Sequence, residues 1–320
     1  MRVSGLGLHV RESGEGRPLL LINGIGAHME MWADLGRVFP GTRLIEFDAP
    51  GAGRSVTPCR PLSLEALGRL TERLLDRLGY DRVDVLGYSF GGLIAQILAR
   101  RAPARVRRLV LAATTCGWGG VPGSTRTLAE MSTPLRYYWR PHYEEVIGDL
   151  MGGRARHDRQ FIEEHGDARQ LAPPPPVGYL WQLLGLTCFP GTLPWLHRLQ
   201  APTLVVTGDD DPIMPLGNAC LLGRYIPQAR LLIAPGEGHL LLMDETSDIL
   251  PAIHDFLRAD DLADCAAWRA GLIIDDAALR AALRRDRADM LVNPGAAASA
   301  LVRTFWTRAI PRPRPAPPIP

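Results

Sequence analysis

Val83-Asp-Val-Leu-Gly-Tyr-Ser89-Phe-Gly-Gly92, continued by Leu93-Ile-Ala-Gln-Ile-Leu-Ala99, is the stretch whose reading decides the fold. Val83 to Leu86 is a short β-branched, apolar run of the kind that forms a strand buried on both faces. Leu93 to Ala99 has the apolar spacing of a packed helix. Gly87-Tyr-Ser89-Phe-Gly91 stands between them and matches G-x-S-x-G, a strand-to-helix turn so tight that small residues must flank it. Such a turn leaves the serine hydroxyl exposed above the sheet, so Ser89 is the candidate nucleophile. A Gly/Ser turn without chemistry would account for these five residues alone. It does not account for a strand before them and a helix after them.

Working outward, strands are expected at Leu8 to Arg11, Pro18 to Ile22, Leu44 to Asp48, Arg108 to Ala113, Thr203 to Thr207 and Arg230 to Ala234. An amphipathic helix over Leu62 to Leu78, with Leu64, Leu67, Leu70, Leu74, Leu75 and Leu78 on one face, connects the third of these to the Ser89 strand. Strands alternating with helices predict a mostly parallel, doubly wound α/β sheet. Residues 1–113 and 200–258 supply this core. From 114 to 199 the alternation stops. That segment holds close to half of the chain's aromatic residues, Tyr137, Tyr179 and Trp195 among them, and the break Pro173-Pro-Pro-Pro176. It reads as an inserted helical cap over the serine, with most aromatics holding the cap together and a few facing the site.

Catalytic groups on loops that follow successive parallel strands converge at one edge of such a sheet. Asn23-Gly-Ile-Gly-Ala27 follows a strand and can bring the Ile25 N–H over Ser89; with the N–H of Phe90 it would form a two-donor oxyanion hole. A phosphate-binding loop would need G-x-G-x-x-G or G-K-[ST], and neither is present. Gly208-Asp209-Asp210-Asp211-Pro212 follows the Thr203 strand and offers three candidate acids. From the residues alone any one of them could point inward, the other two serving as turn-formers. Pro235-Gly-Glu-Gly-His239 follows the next strand and makes His239 the candidate base. Asp48, at a strand end before a Pro/Gly loop, reads as a loop cap. The remaining histidines have no comparable setting.

Composition narrows the classes of function. The chain has 320 residues, 46% of them hydrophobic, and a formal charge of +2, with every basic residue an arginine and no concentrated basic patch. Nucleic acid is therefore not expected as the main partner. Cys59, Cys116, Cys188, Cys220 and Cys265 lie far apart without metal-ligand spacing, so no metal and no cofactor is expected, and the thiols read as reduced. No run has the length of a transmembrane segment and the N-terminus lacks a secretory pattern, which points to a cytoplasmic protein.

The run from about Gly16 to Leu257 resembles the α/β-hydrolase superfamily and, more narrowly, the intracellular poly(3-hydroxyalkanoate) depolymerases acting on medium-chain polyester. The narrower resemblance is carried by Asn23-Gly-Ile-Gly-Ala27, Phe47-Asp-Ala-Pro-Gly-Ala-Gly-Arg-Ser55, Tyr179-Leu-Trp-Gln-Leu183, Trp195-Leu-His-Arg-Leu199 and Pro202-Thr-Leu-Val-Val-Thr-Gly-Asp-Asp-Asp-Pro212. It implies the α/β-hydrolase fold with an inserted cap, and places the nucleophile on Ser89, the acid on Asp211 and the base on His239. The acid falls on Asp211 because the family's aspartate stands three residues before a Val/Ile/Met-Pro step, here Met214-Pro215. Two departures exist: Phe90 stands where these depolymerases tend to have tryptophan, and the chain runs about sixty residues further. The implied partner is an ester substrate, with a polyester granule surface as a further expectation. Alternatives sharing the same residues are a small-molecule carboxylesterase, lactonase or C–C bond hydrolase, and, from another class, a ligand receptor with a slow triad.

Residues 259–320 form the C-terminal extension. Asp275-Asp-Ala-Ala-Leu-Arg-Ala-Ala-Leu-Arg-Arg285 predicts a helix with acidic residues in its first turn, and Asn293-Pro-Gly295 breaks it. Ala298, Val302, Phe305, Trp306 and Ala309 then recur at helical spacing before a Pro/Arg tail. The pair of helices is expected to dock on the core or to lie on an apolar surface. No strand is expected there, and nothing that ester hydrolysis requires, so its removal should spare turnover of a soluble ester.

Overall fold

The computed structural model describes residues 1–32, 35–286 and Arg303. Nine strands occur among them: β1 (Arg2–Val3), β2 (Leu6–Gly7), β3 (Val10–Ser13), β4 (Arg17–Ile22), β5 (Thr42–Phe47), β6 (Val83–Tyr88), β7 (Val106–Ala112), β8 (Thr203–Gly208) and β9 (Ala229–Ala234). β1 and β2 form a small hairpin. The other seven make one sheet in the order β3-β5-β4-β6-β7-β8-β9, with β3 antiparallel to β5 and every other pairing parallel. The predicted core strands appear within a residue or two of their expected bounds. The first is displaced by two residues, beginning at Val10: Leu8 N donates to the Met1 carbonyl and His9 N to Ser55 Oγ instead of to a sheet neighbour.

Both faces of the sheet are covered, which is why its strands read as continuous apolar runs rather than alternating ones. Leu20, Ile22, Val85, Leu109, Leu111, Val205 and Leu231 face one core. Leu19, Leu21, Leu86, Val110, Leu204 and Val206 face the other. The first is roofed by the Leu64–Leu78, Phe90–Arg101 and Leu216–Tyr225 helices, the second by the Ile249–Arg258 helix. Leu64–Leu78 buries Leu64, Leu67, Leu70, Leu74 and Leu75, and its first turn is capped by Ser63, whose hydroxyl accepts from Ala66 N. Each leucine so buried stabilises the fold by ~2 kcal/mol.

Between β7 and β8 the chain leaves the sheet and forms the helices Thr125–Met131, Leu135–Tyr138, Arg140–Met151, Arg159–Gln170 and Pro176–Thr187. They lie over the C-terminal ends of the strands, held by long-range bonds. Trp181 Nε1 donates to the Pro58 carbonyl at 3.0 Å, and His239 N donates to the Met151 carbonyl at 2.6 Å.

After the Ile249–Arg258 helix the chain packs back on the core. Trp268 stacks on Phe256 with centroids 5.4 Å apart. Leu272 pairs with Leu231 in a single antiparallel bridge, so the extension adds one rung to the β9 edge where no strand was expected. The Asp276–Arg285 helix buries Leu279 and Ala282 against the Leu216–Tyr225 helix, and Arg224 pairs with Asp276 at 2.8 Å. Arg303, buried, donates to the Gly119 and Gly120 carbonyls. Ala298, Val302, Phe305, Trp306 and Ala309 lie outside the described residues.

Candidate active site

Ser89 sits between β6 and the Phe90–Arg101 helix with φ 53° and ψ −120°, a backbone conformation that side chains rarely adopt. The surroundings enforce it. A Cβ on Gly91 would meet the Ile22 carbonyl oxygen, and one on Gly87 would come within 2.6 Å of the Ala95 Cβ. The two glycines of the motif are thus required by close approach of strand and helix. Ser89 N donates to the Ala112 carbonyl at 2.9 Å and Thr114 Oγ1 donates to the Ser89 carbonyl at 2.6 Å, so the elbow is tied to the end of β7.

His239 reaches Ser89 from the loop after β9. Its Nε2 is 3.0 Å from Ser89 Oγ and its Nδ1 is 2.8 Å from Asp211 Oδ2. With Asp211 ionised, Nδ1 carries the proton and donates to it, which leaves Nε2 free to accept from the Ser89 hydroxyl. Asp211 Oδ1 in turn accepts from the Ile213 and Met214 amides, both at 2.9 Å. Tyr88, at the end of β6, donates its hydroxyl to the His239 carbonyl at 2.8 Å and fixes that loop from below. Burial raises the Tyr88 pKa well above the ordinary phenol value, so the hydroxyl stays a donor.

The three consecutive aspartates separate cleanly by partner. Asp209 Oδ1 accepts from Gly236 N at 2.6 Å, closing the turn beside it. Asp210 accepts from Gly153 N and pairs with Arg156, both at 2.7 Å, which ties this loop to the cap. Arg156 is the main reason its pKa lies below the usual carboxylate value. Only Asp211 turns toward His239. Asp48 accepts from the Met29 and Arg54 amides and serves as the loop cap expected of it.

Ile25 and Phe90 flank Ser89, and among the described residues neither backbone N–H has an acceptor. The loop that carries Ile25 is held from above by the cap, a connection the sequence reading missed. Tyr137 donates its hydroxyl to the Ile25 carbonyl at 2.9 Å, and Gly26 N donates to Gln182 Oε1 at 2.8 Å. Gln182 Nε2 also donates to the Pro50 carbonyl, bridging the loops after β4 and β5. Tyr179-Leu-Trp-Gln-Leu183 was conspicuous in the sequence, but nothing there told which of its side chains reached the loop.

The space over Ser89 is a cavity of about 20 Å3, lined by Ile25, Tyr88, His239 and Ile213 from the core and by Met131, Arg136, Tyr137, Met151 and Arg169 from the cap. It holds roughly one water. Among the described residues no group of three His, Cys, Asp or Glu side chains could hold a metal ion, and no helix is long and apolar enough to cross a membrane.

A strained serine on a tight strand-to-helix turn, in a parallel sheet with a helical insertion after β7, is the architecture of a broad class of hydrolases. Residues 17–246 match the family model described as the alpha/beta hydrolase fold, and the chain belongs to that family. It is 40% identical over 247 residues to a poly(3-hydroxyalkanoate) depolymerase of Ectopseudomonas oleovorans, covering 76% of this chain and 85% of that one. It is 30% identical over 243 residues to a pimeloyl-[acyl-carrier protein] methyl ester esterase of Nitrosomonas europaea, covering 72% and 92%. Among solved structures it is similar to a thermophilic esterase from Thermogutta terrifontis, with a TM-score of 0.67, 27% identity and coverage of 79% and 93%. The protein is a hydrolase.

Proposed function

We propose that the protein hydrolyses carboxylic esters through a Ser89–His239–Asp211 triad, and that its substrate is an oligomer or polymer of 3-hydroxyalkanoic acids. The observation that carries the chemistry is the continuous chain of bonds from Ser89 Oγ to His239 to Asp211 beneath the cap. The 40% identity to a poly(3-hydroxyalkanoate) depolymerase, spread over most of both chains, supports the substrate class.

Ser89 Oγ attacks the ester carbonyl as His239 Nε2 takes its proton. The carbonyl oxygen gains negative charge and is received by the Ile25 and Phe90 N–H groups, which have no other acceptor among the described residues. Collapse breaks the acyl–oxygen bond, and the proton on His239 passes to the departing 3-hydroxyl oxygen. Water then adds to the acyl-enzyme, with His239 as its base, and regenerates Ser89. Asp211 holds the Nδ1 tautomer throughout and stabilises the imidazolium that forms twice per cycle.

Ser89→Ala and His239→Ala should each remove nearly all turnover of p-nitrophenyl octanoate, and the double variant should cost little more, because such residues act as a unit. Asp211→Asn should cost on the order of 100-fold or more, with Asp209→Asn and Asp210→Asn far milder. Retention of a tenth of wild-type turnover by Ser89→Ala would exclude the nucleophile. A burst of p-nitrophenol without steady turnover would identify a receptor, and a preference for acetyl over octanoyl esters would identify a small-ester enzyme.

A further inference from the structure

The cap places two arginines in the roof over Ser89, and among the described residues neither has a carboxylate partner. Arg136 is 2% exposed, and its guanidinium donates to the Glu130 and Thr133 carbonyls and to the Tyr179 hydroxyl. Arg169 is 4% exposed and its side chain makes no hydrogen bond or ion pair among the described residues. Its Nε and Nη1 are buried without an acceptor. It lies over the Tyr137 ring at 4.6 Å and near the Tyr143 ring at 6.0 Å, so aromatic faces stabilise the cation but leave its N–H groups unpaired. Asp211, the carboxylate behind His239, is already engaged by His239, Ile213 N and Met214 N.

A buried guanidinium without a counterion is costly to keep folded, and its planar fork of donors matches a carboxylate. Arg169 lines the same cavity as Ser89, Ile25 and His239, so an anion bound to it shares that cavity with the scissile ester. From this we propose that Arg169 is a carboxylate-binding residue that receives the free carboxyl end of the polyester chain, so that the enzyme cuts from that end. The inference rests on the polyester reading of the same site. In a 3-hydroxyalkanoate chain the last unit carries its carboxylate two carbons from the ester oxygen. Attack by Ser89 on the penultimate carbonyl forms the acyl-enzyme on the remaining chain. The acyl–oxygen bond breaks, His239 returns the proton to the leaving oxygen, and one 3-hydroxy acid departs with its carboxylate on Arg169. Arg136, beside it, adds positive potential but has most of its donors occupied. Each cycle exposes a new acid that must turn into the same place before the next cut.

The test compares the dimer of 3-hydroxyoctanoate as its free acid and as its methyl ester, with wild type, Arg169→Met and Arg169→Lys. Wild type should favour the free acid in kcat/KM by roughly tenfold to a hundredfold, the effect of hydrogen bonds to a charged group. Arg169→Met should bring that ratio to about one, and Arg169→Lys should restore part of it. A wild-type ratio of one or below, or a ratio unchanged by Arg169→Met, overturns the proposal. If the methionine variant does not fold, the wild-type ratio still decides. Failure of both dimers alongside turnover of p-nitrophenyl octanoate would reject the polyester substrate itself. The carboxylate site is then judged by inhibition of that turnover. Competitive inhibition by 3-hydroxyoctanoate but not by its methyl ester upholds the site, and equal inhibition by the two overturns it.

Discussion

Tyr137 shows how much a single cap residue does for the chemistry below it. Its hydroxyl holds the Ile25 carbonyl while its ring lies under the Arg169 guanidinium. Removing only the hydroxyl in Tyr137→Phe keeps the ring and frees the peptide that orients the Ile25 N–H. The oxyanion is formed only as the reaction proceeds, so the loss should fall on kcat, by roughly tenfold, with KM little changed. Steady-state kinetics on p-nitrophenyl octanoate check this. A raised KM at constant kcat would show instead that Tyr137 serves substrate binding. At the same scale, the partners of Asp209, Asp210 and Asp211 could not be told apart from their order in the chain. They occupy one turn, and which side chain faces His239 depends on where β9 and the cap pass by.

At the scale of elements, the extension beyond the last core helix behaves as part of the hydrolase body over its described part. Trp268 on Phe256, the Leu272 rung on β9 and the buried Leu279 and Ala282 all cover core surface. Arg285 also donates to the Asp209 carbonyl, beside the acid loop. Of the two expectations for the extension, docking on the core is the one its described part follows. A chain ending at residue 258 should melt lower by on the order of 5–10 °C, from the apolar area it exposes, and lose soluble-ester turnover with it. A chain ending at residue 287 keeps all of these contacts and should melt higher than the chain ending at residue 258. Equal stability of the two truncations, read by thermal unfolding, would contradict this docking. The helix over Asp276–Arg285 was legible from the acidic residues at its start, of which Asp275 proves to be the cap, accepting from Ala278 N. Its neighbour, Leu216–Tyr225, is a matter of packing.

For the whole molecule, the cap and core share buried histidines that make stability depend on pH. His165 is enclosed by Tyr143 and Phe161, and burial, reinforced by the positive charge of Arg169, holds its pKa well below the ordinary imidazole value. His28 is shifted the same way, chiefly by burial. Both groups take up protons more readily in the unfolded chain, so their contribution is complete above about pH 6.5 and is lost as pH falls below it. The melting temperature should therefore drop between pH 7.5 and pH 5, and His165→Gln should narrow that drop. An unchanged drop in the variant would remove His165 from the account.

What the sequence determined by itself is the scaffold and the positions of the reacting groups. Strand runs apolar on both faces, the Gly87 to Gly91 elbow and loops after successive parallel strands leave one sheet edge at which Ser89 and His239 can meet. These signals are local or periodic, and they survive without knowledge of the partner surface. The residues by themselves left three aspartates open, and the resemblance put the acid on Asp211; only the tertiary structure brought its carboxylate to His239, showed that Tyr137 and Gln182 hold the Ile25 loop, and left Arg169 unpaired over Ser89 among the described residues. The physical reason is that each of these depends on contacts between segments far apart in the chain. One arginine among 36 basic residues carries no mark in the sequence that it will be buried without a counterion.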